Sequence, residues 1–102
     1  MKESDLQAQC NAYLRVRGIC FYHQQKGRTN GQKFTSMSGL PDLLMWHKGR
    51  HLLVELKTPT GGLKPSQVKF FAELDLAGYP VWVIRSTKAF VELIERWIKG
   101  EV

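Results

Sequence analysis

Apolar residues along this chain recur with two different spacings, which separate predicted helices from predicted strands. In residues 4–17 most of them lie three or four positions apart, the spacing of one helix face. They are Leu6, Cys10, Tyr13, Leu14 and Val16. Ser4 or Glu3 begins this helix, and Gly18 ends it.

The same pattern predicts two further helices in the second half of the chain. One covers about residues 65–77 and ends at Gly78. Its apolar positions include Val68, Phe71, Leu74 and Leu76. Thr87 is the predicted N-cap of the last helix, which reaches Lys99-Gly100.

Short apolar runs rich in β-branched and aromatic residues predict four strands, at residues 19–22, 42–46, 51–56 and 80–85. Lys48-Gly49 has the length of a two-residue hairpin turn between the second and third strands. Residues 23–39 are rich in Gly, Asn, Ser and Thr and predict a long polar loop. A loop this long in a small domain favours a functional role.

The predicted order, α-β-β-β-α-β-α, describes one mixed sheet with flanking helices in a single α/β domain over residues 1–102. The composition, 43% hydrophobic and 24% charged, excludes a disordered or fibrous protein. No apolar run has the length of a membrane span, and Met1 leads into a polar stretch unlike a signal peptide. We expect a cytoplasmic protein in which Cys10 and Cys20 are buried or free thiols.

Charge is distributed unevenly along the chain. Fifteen Lys and Arg against nine Asp and Glu give a formal charge of +6, which favours a polyanion such as nucleic acid as partner, although other basic proteins share this trait. Residues 1–50 hold eight basic and three acidic residues (+5), and residues 51–102 hold seven and six (+1). Lys26, Arg28 and Lys33 lie in an acid-free stretch and are predicted to contact the DNA backbone, with a solvated loop as the alternative.

The predicted hairpin places two carboxylates opposite each other. If Lys48-Gly49 is a two-residue turn, His47 faces Arg50, and Asp42 faces Glu55. Facing side chains on antiparallel strands have Cβ atoms about 4.5–5.5 Å apart, and two like charges there are destabilising. A divalent cation held between them compensates, and oxygen ligands are those that Mg²⁺ and Mn²⁺ prefer.

A lysine stands beside this pair. Alternation along the strand points Leu53, Glu55 and Lys57 to one face, so the carboxylate and the ammonium are neighbours. Such a lysine orients a hydroxide nucleophile and stabilises the charge that develops on phosphorus, while the metal lowers the pKa of its bound water. The carbonyl of Leu56 lies between these groups and offers the cation a further oxygen. Taken singly, these residues also fit a turn and a solvated strand face.

Pro41-Asp42, thirteen positions before Glu55-Leu56-Lys57, resembles the signature of the PD-(D/E)xK nucleases. The surrounding sequence, GLPDLLMW, HLLVELK and GGLKPSQVKFFAELDLAGYPVWVIRS, is similar to the VRR-NUC branch of that superfamily from about Glu3 onward. That branch includes small stand-alone phage proteins and the nuclease domains of larger repair enzymes. The resemblance implies a restriction-endonuclease-like fold and a Mg²⁺- or Mn²⁺-dependent endonuclease of phage or bacterial host cells.

The resemblance also implies roles for single residues. Asp42 and Glu55 are implied metal ligands, and Lys57 positions the attacking water. Gln67 is implied to lie near the active site, with helix capping as the alternative. Glu3 is implied to complete the metal shell, directly or through water, with a purely helix-stabilising role as its alternative and Asp5 and Gln7 as its competitors.

Lys64, the histidines and the tryptophans have no implied role in the reaction. Lys64 stands where the family usually has Ser, so Ser66 is the predicted cap of the second helix. His23, His47 and His51 form no ligand set and are expected to be structural or to contact phosphate. The three tryptophans, Trp46, Trp82 and Trp97, are expected in the core or in a dimer interface.

Together these points lead to the hypothesis of a structure-selective DNA endonuclease that acts as a homodimer on four-way (Holliday) junctions. The resemblance implies this substrate, because the stand-alone members of the VRR-NUC branch are associated with dimeric cleavage of such junctions. A two-fold dimer would place two active sites on symmetric strands of the junction. One alternative is a nicking, flap or nonspecific DNA nuclease that works with a replication or repair partner. The other is a non-catalytic DNA-binding module with the same fold.

Overall fold

The computed structural model of the chain describes residues 2–24, 28–29, 32–33 and 40–102. Within these residues it contains three helices and six strands. In chain order they are α1 (Glu3–Arg17), β1 (Cys20–His23), β2 (Arg28–Thr29), β3 (Gln32–Lys33), β4 (Leu43–His47), β5 (Arg50–Leu56), α2 (Pro65–Leu76), β6 (Val81–Ile84) and α3 (Thr87–Ile98).

Four strands form one mixed sheet in the order β1-β4-β5-β6. The β1–β4 and β4–β5 pairs are antiparallel, and β5–β6 is parallel because α2 crosses between them. This architecture confirms the predicted mixed α/β fold class, with the helices flanking the sheet. Two residues join the central strands β4 and β5, so the register of this pair is set locally.

The β4–β5 turn has the predicted length. Lys48 has φ 49° and Gly49 has φ 79°, the two positive angles that a two-residue hairpin turn of this twist needs. His47 consequently pairs with Arg50, and the ladder continues to Leu43 opposite Val54. The predicted register of this hairpin is therefore confirmed.

The prediction of an uninterrupted loop over residues 23–39 is wrong in part. β2 and β3 form a separate antiparallel pair in which Arg28 lies opposite Lys33 and Thr29 opposite Gln32. The sequence between them, Asn30-Gly31, is a strong signal for a two-residue hairpin turn, which the prediction overlooked.

Two predicted helix caps are also corrected. The hydroxyl of Ser86, not that of Thr87, accepts the backbone N–H of Ala89 at 3.1 Å, and Thr87 is already helical. The N-cap position of α2 belongs to Lys64, because the helix begins at Pro65, whose missing N–H is tolerated at that position. Ser66 is therefore inside the first turn and not at the cap.

The core lies between one face of the sheet and helices α1 and α3. It contains Leu6, Cys10, Leu14, Ile19, Leu43, Met45, Leu52, Val54, Leu56, Ile84, Phe90, Leu93, Ile94 and Trp97. Of the three tryptophans only Trp97 is fully buried, while Trp46 is exposed and Trp82 is partly buried. Both cysteines are free thiols, and burial raises the pKa of Cys10 to about 12, whereas Cys20 is exposed.

Helix α2 lies over the opposite face of the sheet. Its Gln67 contacts Glu55, which alternates along β5 with the core residues Val54 and Leu56. Since α2 packs on the sheet from one side only, Phe71 is buried while the predicted apolar position Leu76 is 90% exposed. Among the described residues, no helix is long and apolar enough to cross a membrane.

Candidate active site

Asp42 and Glu55 come together where the β4–β5 ladder ends. The last registered pair is Leu43 and Val54, and Asp42 and Glu55 are one step beyond it on the two chains. Both side chains are buried, with 1% and 0% of their surface exposed. The structure therefore brings together the two carboxylates that the hairpin register predicted.

Each carboxylate is held by the backbone of the other strand. An oxygen of Asp42, Oδ2, accepts the backbone N–H of Leu56 at 2.9 Å. In return Oε1 of Glu55 accepts the backbone N–H of Asp42 at 3.1 Å. Hydrogen bonds to a charged carboxylate are stronger than neutral ones. These two bonds hold both carboxylates in defined orientations at the end of the ladder.

Lys57 lies on the same side of β5 as Glu55, as the alternation predicted. Its Nζ atom is 3.4 Å from Oε2 of Glu55, and its side chain is only 13% exposed. Asp42, Glu55 and Lys57 together carry a formal charge of −1 when all three are ionised. A buried group of this net charge favours the approach of a cation.

Gln67 joins the site from helix α2 and is 3% exposed. Its Oε1 accepts the backbone N–H of Lys64 at 3.0 Å, and its Nε2 donates to Oε2 of Glu55 at 2.9 Å. Because a backbone N–H needs an acceptor, the bond to Lys64 fixes which end of the amide is oxygen and directs the NH₂ group to the carboxylate. The side chain of Gln67 therefore does both: its oxygen caps the start of α2, and its NH₂ group contacts Glu55.

Glu3 begins α1 and is partly buried. It shares a helix face with the buried Leu6 and Cys10. Helix α1 contacts the end of β1 through Asn11, whose side-chain amide lies 3.1 Å from Nδ1 of His23, and His23 lies opposite Leu43. The contribution of Glu3 to a metal shell stays a prediction.

The donors at the site are hard oxygen atoms. A strand residue directs its N–H and C=O to the same edge, so the Leu56 carbonyl faces the side on which Asp42 accepts the Leu56 N–H. Two carboxylates and a carbonyl suit Mg²⁺ or Mn²⁺, which complete their coordination with water. Among the described residues, no three His, Cys, Asp or Glu side chains form a metal-binding group, so Glu3 does not join Asp42 and Glu55 in one.

The predicted DNA-contacting residues are outside this geometry. Lys26 is not among the described residues, and Arg28 and Lys33 are described by their backbone only, as a facing pair of β2 and β3. Their contact with phosphate stays a prediction.

The three histidines contact other parts of the fold. Nδ1 of His23 is 3.1 Å from the side-chain amide nitrogen of Asn11. The ring of His47 packs against Trp97, and the ring of His51 against Tyr79. These contacts agree with the expected structural roles.

Arg85 is a residue near the site that the sequence analysis did not single out. It directly follows β6, and Leu56 pairs with Ile84 in the parallel β5–β6 ladder. One step further along, Arg85 is next to Lys57. The only signal in the sequence was a charged residue as the last residue of the predicted buried strand 80–85.

The comparisons with known proteins agree with this geometry. Residues 4–88 match the family model of the VRR-NUC domain. The chain belongs to the VRR-NUC domain family. A solved structure of a VRR_NUC domain is 25% identical in sequence, with a TM-score of 0.68, over 93% of this chain and 96% of that one. No curated protein matches the chain.

Membership of the VRR-NUC family confirms the family resemblance that the PD and ExK motifs predicted. It gives the chain a nuclease-type, DNA-processing function. The similar structure covers nearly the whole of both chains, so the fold class is confirmed over the same extent.

Proposed function

We propose that the protein is a metal-dependent, structure-selective DNA endonuclease that hydrolyses phosphodiester bonds. The observation that carries this proposal is the pair of buried carboxylates, Asp42 and Glu55, each bonded to the backbone of the other strand and with Lys57 beside them. Burying two like charges costs free energy, and a cation bound between the carboxylates offsets that cost. A metal ion that accompanies a phosphodiester is such a cation.

Asp42, Glu55 and the carbonyl of Leu56 are the groups that would hold Mg²⁺ or Mn²⁺. The chemistry such an ion supplies when bound is neutralisation of phosphate charge and a lower pKa of its bound water. The orientation of both carboxylates is fixed by the backbone before the ion arrives. Little rearrangement is then needed when the ion binds.

Lys57 and Gln67 complete the chemistry from the protein side. The ammonium of Lys57 orients the attacking water and stabilises the negative charge that develops on the phosphate oxygens. The distance of 3.4 Å between its Nζ atom and Oε2 of Glu55 supports this role. Gln67 contributes as a positioning residue, because its NH₂ group holds one oxygen of Glu55. Glu3 is the proposed outer ligand through water.

We further propose that the enzyme acts as a homodimer on four-way junctions. Two copies related by a two-fold axis present two active sites to symmetric strands. Membership of the VRR-NUC family supports a DNA substrate, and the net charge of +6 supports a polyanionic one. Lys26, Arg28 and Lys33 are the proposed contacts to the backbone of the arms. The predicted cytoplasmic location agrees with this role.

Cleavage of labelled DNA tests the enzymatic proposal. Four-way junction, flap, nicked and linear duplexes are incubated with the protein and Mg²⁺ or Mn²⁺. We expect paired symmetric cuts in the junction, and no cleavage by Asp42→Ala or Lys57→Ala. The matched controls are Asp75→Ala and Lys48→Ala, which change exposed residues of the same types. Absence of cleavage, or full activity of the Asp42 or Lys57 variant, would refute the proposal. Preferential cutting of flaps would contradict the four-way junction as substrate and favour the alternative of a flap nuclease.

Two measurements without turnover separate the remaining alternatives. Mn²⁺ is expected to raise the Tm of the wild type, since an ion that binds only the folded state stabilises it, and not that of Asp42→Ala. A non-catalytic DNA-binding module would show no such carboxylate-dependent effect. Sedimentation over a range of protein concentrations tests the homodimer, and a strictly monomeric protein would contradict the junction mechanism.

A further inference from the structure

The connection between β5 and α2 begins with a tight turn directly after Lys57. The backbone N–H of Gly61 donates to the carbonyl of Thr58 at 3.2 Å and closes the turn. Arg85 then donates from one guanidinium nitrogen to two carbonyls of this turn, those of Thr58 and Gly61. A single exposed side chain therefore holds both ends of the turn.

The packing inside the turn is close. A Cβ atom added at Gly61 would lie 2.8 Å from Oγ1 of Thr58, and carbon and oxygen atoms that are not bonded do not approach so closely. The turn is therefore closely packed, and both of its carbonyls accept from Arg85.

This turn lies between two residues of the site. Lys57 precedes it, with its backbone N–H on the carbonyl of Ile84 at 3.0 Å. Lys64 and Gln67 follow it, and Gln67 holds Glu55. The chain therefore connects the turn to Lys57 on one side and to the amide that holds Glu55 on the other.

We propose that Arg85 is a positioning residue for the nuclease reaction: by holding the turn of residues 58–61 it fixes Lys57 and Gln67 relative to Glu55. Its role is distinct from a contact with DNA phosphate. The inference rests on the proposed nuclease function for its kinetic consequence. Its structural part, the fixation of the turn, stands on the hydrogen bonds alone.

Single-turnover cleavage by Arg85→Ala tests the kinetic consequence. We expect the maximal rate to fall by about 10- to 100-fold, the effect of misplacing a catalytic group by a fraction of an ångström to an ångström. The DNA concentration for half-maximal rate is expected to stay unchanged. Arg85→Lys, which keeps a donor, is expected to recover part of the rate, and Arg96→Ala is the matched control at an exposed arginine. An unchanged maximal rate in Arg85→Ala would overturn the proposal.

DNA binding distinguishes positioning from phosphate contact. Binding is measured in the inactive Glu55→Gln background, with and without Arg85→Ala, over a range of salt concentrations. A positioning residue leaves both the affinity and the salt slope unchanged. A residue that neutralises one phosphate would lower the slope by about one when removed, and this result would also overturn the proposal.

A change at the other side of the contact gives an independent test. Gly61→Ala places a Cβ against Oγ1 of Thr58 and should lower the maximal rate as Arg85→Ala does. Thr58→Ala removes that oxygen, so we expect near-wild-type cleavage from Thr58→Ala and a restored rate from the Thr58→Ala, Gly61→Ala double variant. Failure of the second substitution to restore the rate would contradict the transmission through the turn.

Amide hydrogen exchange tests the turn without any cleavage. In Arg85→Ala the Gly61 amide is expected to exchange about tenfold faster, the equivalent of one hydrogen bond to a charged group. The Ala89 amide, bonded to Ser86 at the start of α3, is the internal reference and should not change. If the wild type proves inactive on every DNA, the proposed nuclease function fails. The exchange result then still decides whether Arg85 fixes the turn.

Discussion

The two ends of the β4–β5 hairpin are built from the same two strands but from opposite kinds of contact. The closed end consists of His47, Lys48, Gly49 and Arg50. The open end consists of Asp42, Glu55, Leu56 and Lys57. At the closed end one histidine ring and one arginine pack on Trp97, whereas at the open end charged groups are buried together.

The closed end connects the hairpin to the last helix. At the C-terminus of α3, Arg50 donates to the carbonyl of Trp97 at 2.6 Å, and the same carbonyl also accepts the backbone N–H of Gly100 at 3.0 Å. His47 packs against the ring of the same tryptophan. These are contacts that stabilise the fold.

The open end has the opposite energetic character. Two carboxylates are withdrawn from water, and removing a charge from water costs free energy even where hydrogen bonds hold it. The hairpin therefore separates its tasks by position: the turn end stabilises, and the strand end holds groups that reaction chemistry needs. The predictions below test this separation, beginning with the largest expected effect.

Glu55→Gln should remove cleavage by at least about a thousandfold, because the charge that holds the cation is lost. The free energy of unfolding without metal should change by no more than about 1 kcal/mol, because relief of the repulsion between the two buried carboxylates, Asp42 and Glu55, offsets the loss of the contact with Lys57. Cleavage assays and urea unfolding measure the two quantities. Glu73→Gln on the exposed side of α2 is the control. A large loss of stability would break the comparison.

Trp97→Ala should produce the reverse pattern. Removing this buried ring is expected to cost about 3–5 kcal/mol in urea unfolding. The cleavage rate per folded molecule should remain that of the wild type, because the ring lies at the closed end. Where the alanine variant does not fold, Trp97→Phe gives the same comparison with a smaller loss. A reduced rate in a folded variant would show that the two ends are coupled.

Arg50→Ala should cost about 1–2 kcal/mol through the loss of its bonds to the end of α3. Arg96→Ala, an exposed arginine of α3 itself, should change stability by less than about 0.5 kcal/mol. Thermal or urea unfolding of both variants checks the difference. Equal losses of stability would mean that the bonds of Arg50 to the C-terminus of α3 contribute nothing specific.

Lys48→Gly should stabilise the protein by about 0.5–1 kcal/mol, since a lysine at φ 49° is strained and glycine is not. Gly49→Ala should destabilise it, because φ 79° disfavours a side chain although nothing lies within 4 Å of the added Cβ. Neither change should affect cleavage. Opposite signs of the two effects in urea unfolding would sharpen the description of the closed end as purely structural.

The smallest effect concerns the contact between α1 and α3, remote from the hairpin. The hydrogen bond from Tyr13 and then the charge of Arg17 lower the pKa of Glu95. A carboxyl with a lower pKa in the folded state stabilises the protein above its unfolded pKa, and this contribution is lost as the pH falls through the folded pKa. Glu95→Gln should therefore flatten the acid limb of stability against pH and leave the pH profile of cleavage unchanged. A change in the cleavage profile would contradict it.

The sequence predicted the open end of the hairpin because every step there is local. A two-residue turn determines which residues face each other, and alternation of side chains then places Lys57 beside Glu55. The motif that indicated the family, Pro41-Asp42 with Glu55-Leu56-Lys57, consists of these same residues. Local geometry of this kind is readable from spacing alone.

The contacts made through α2 and β6 could not be predicted in the same way. The bond from Gln67 to Glu55 depends on where the crossover helix lands after residues 57–64, and periodicity does not encode that position. The neighbour relation of Arg85 and Lys57 depends on a parallel register that the length of the crossover sets. Ser86 and Thr87 are both good capping residues, so the sequence alone does not show which of the two caps α3.

The amide of Gln67 links the beginning of a helix to the charge of the site through one planar group. If the first turn of α2 opens, the Lys64 N–H leaves Oε1, and the amide is no longer held with its NH₂ group toward Glu55. Helix ends open far more often than whole domains unfold. We expect the temperature at which cleavage is lost to lie below the Tm, following the fraying of this helix end.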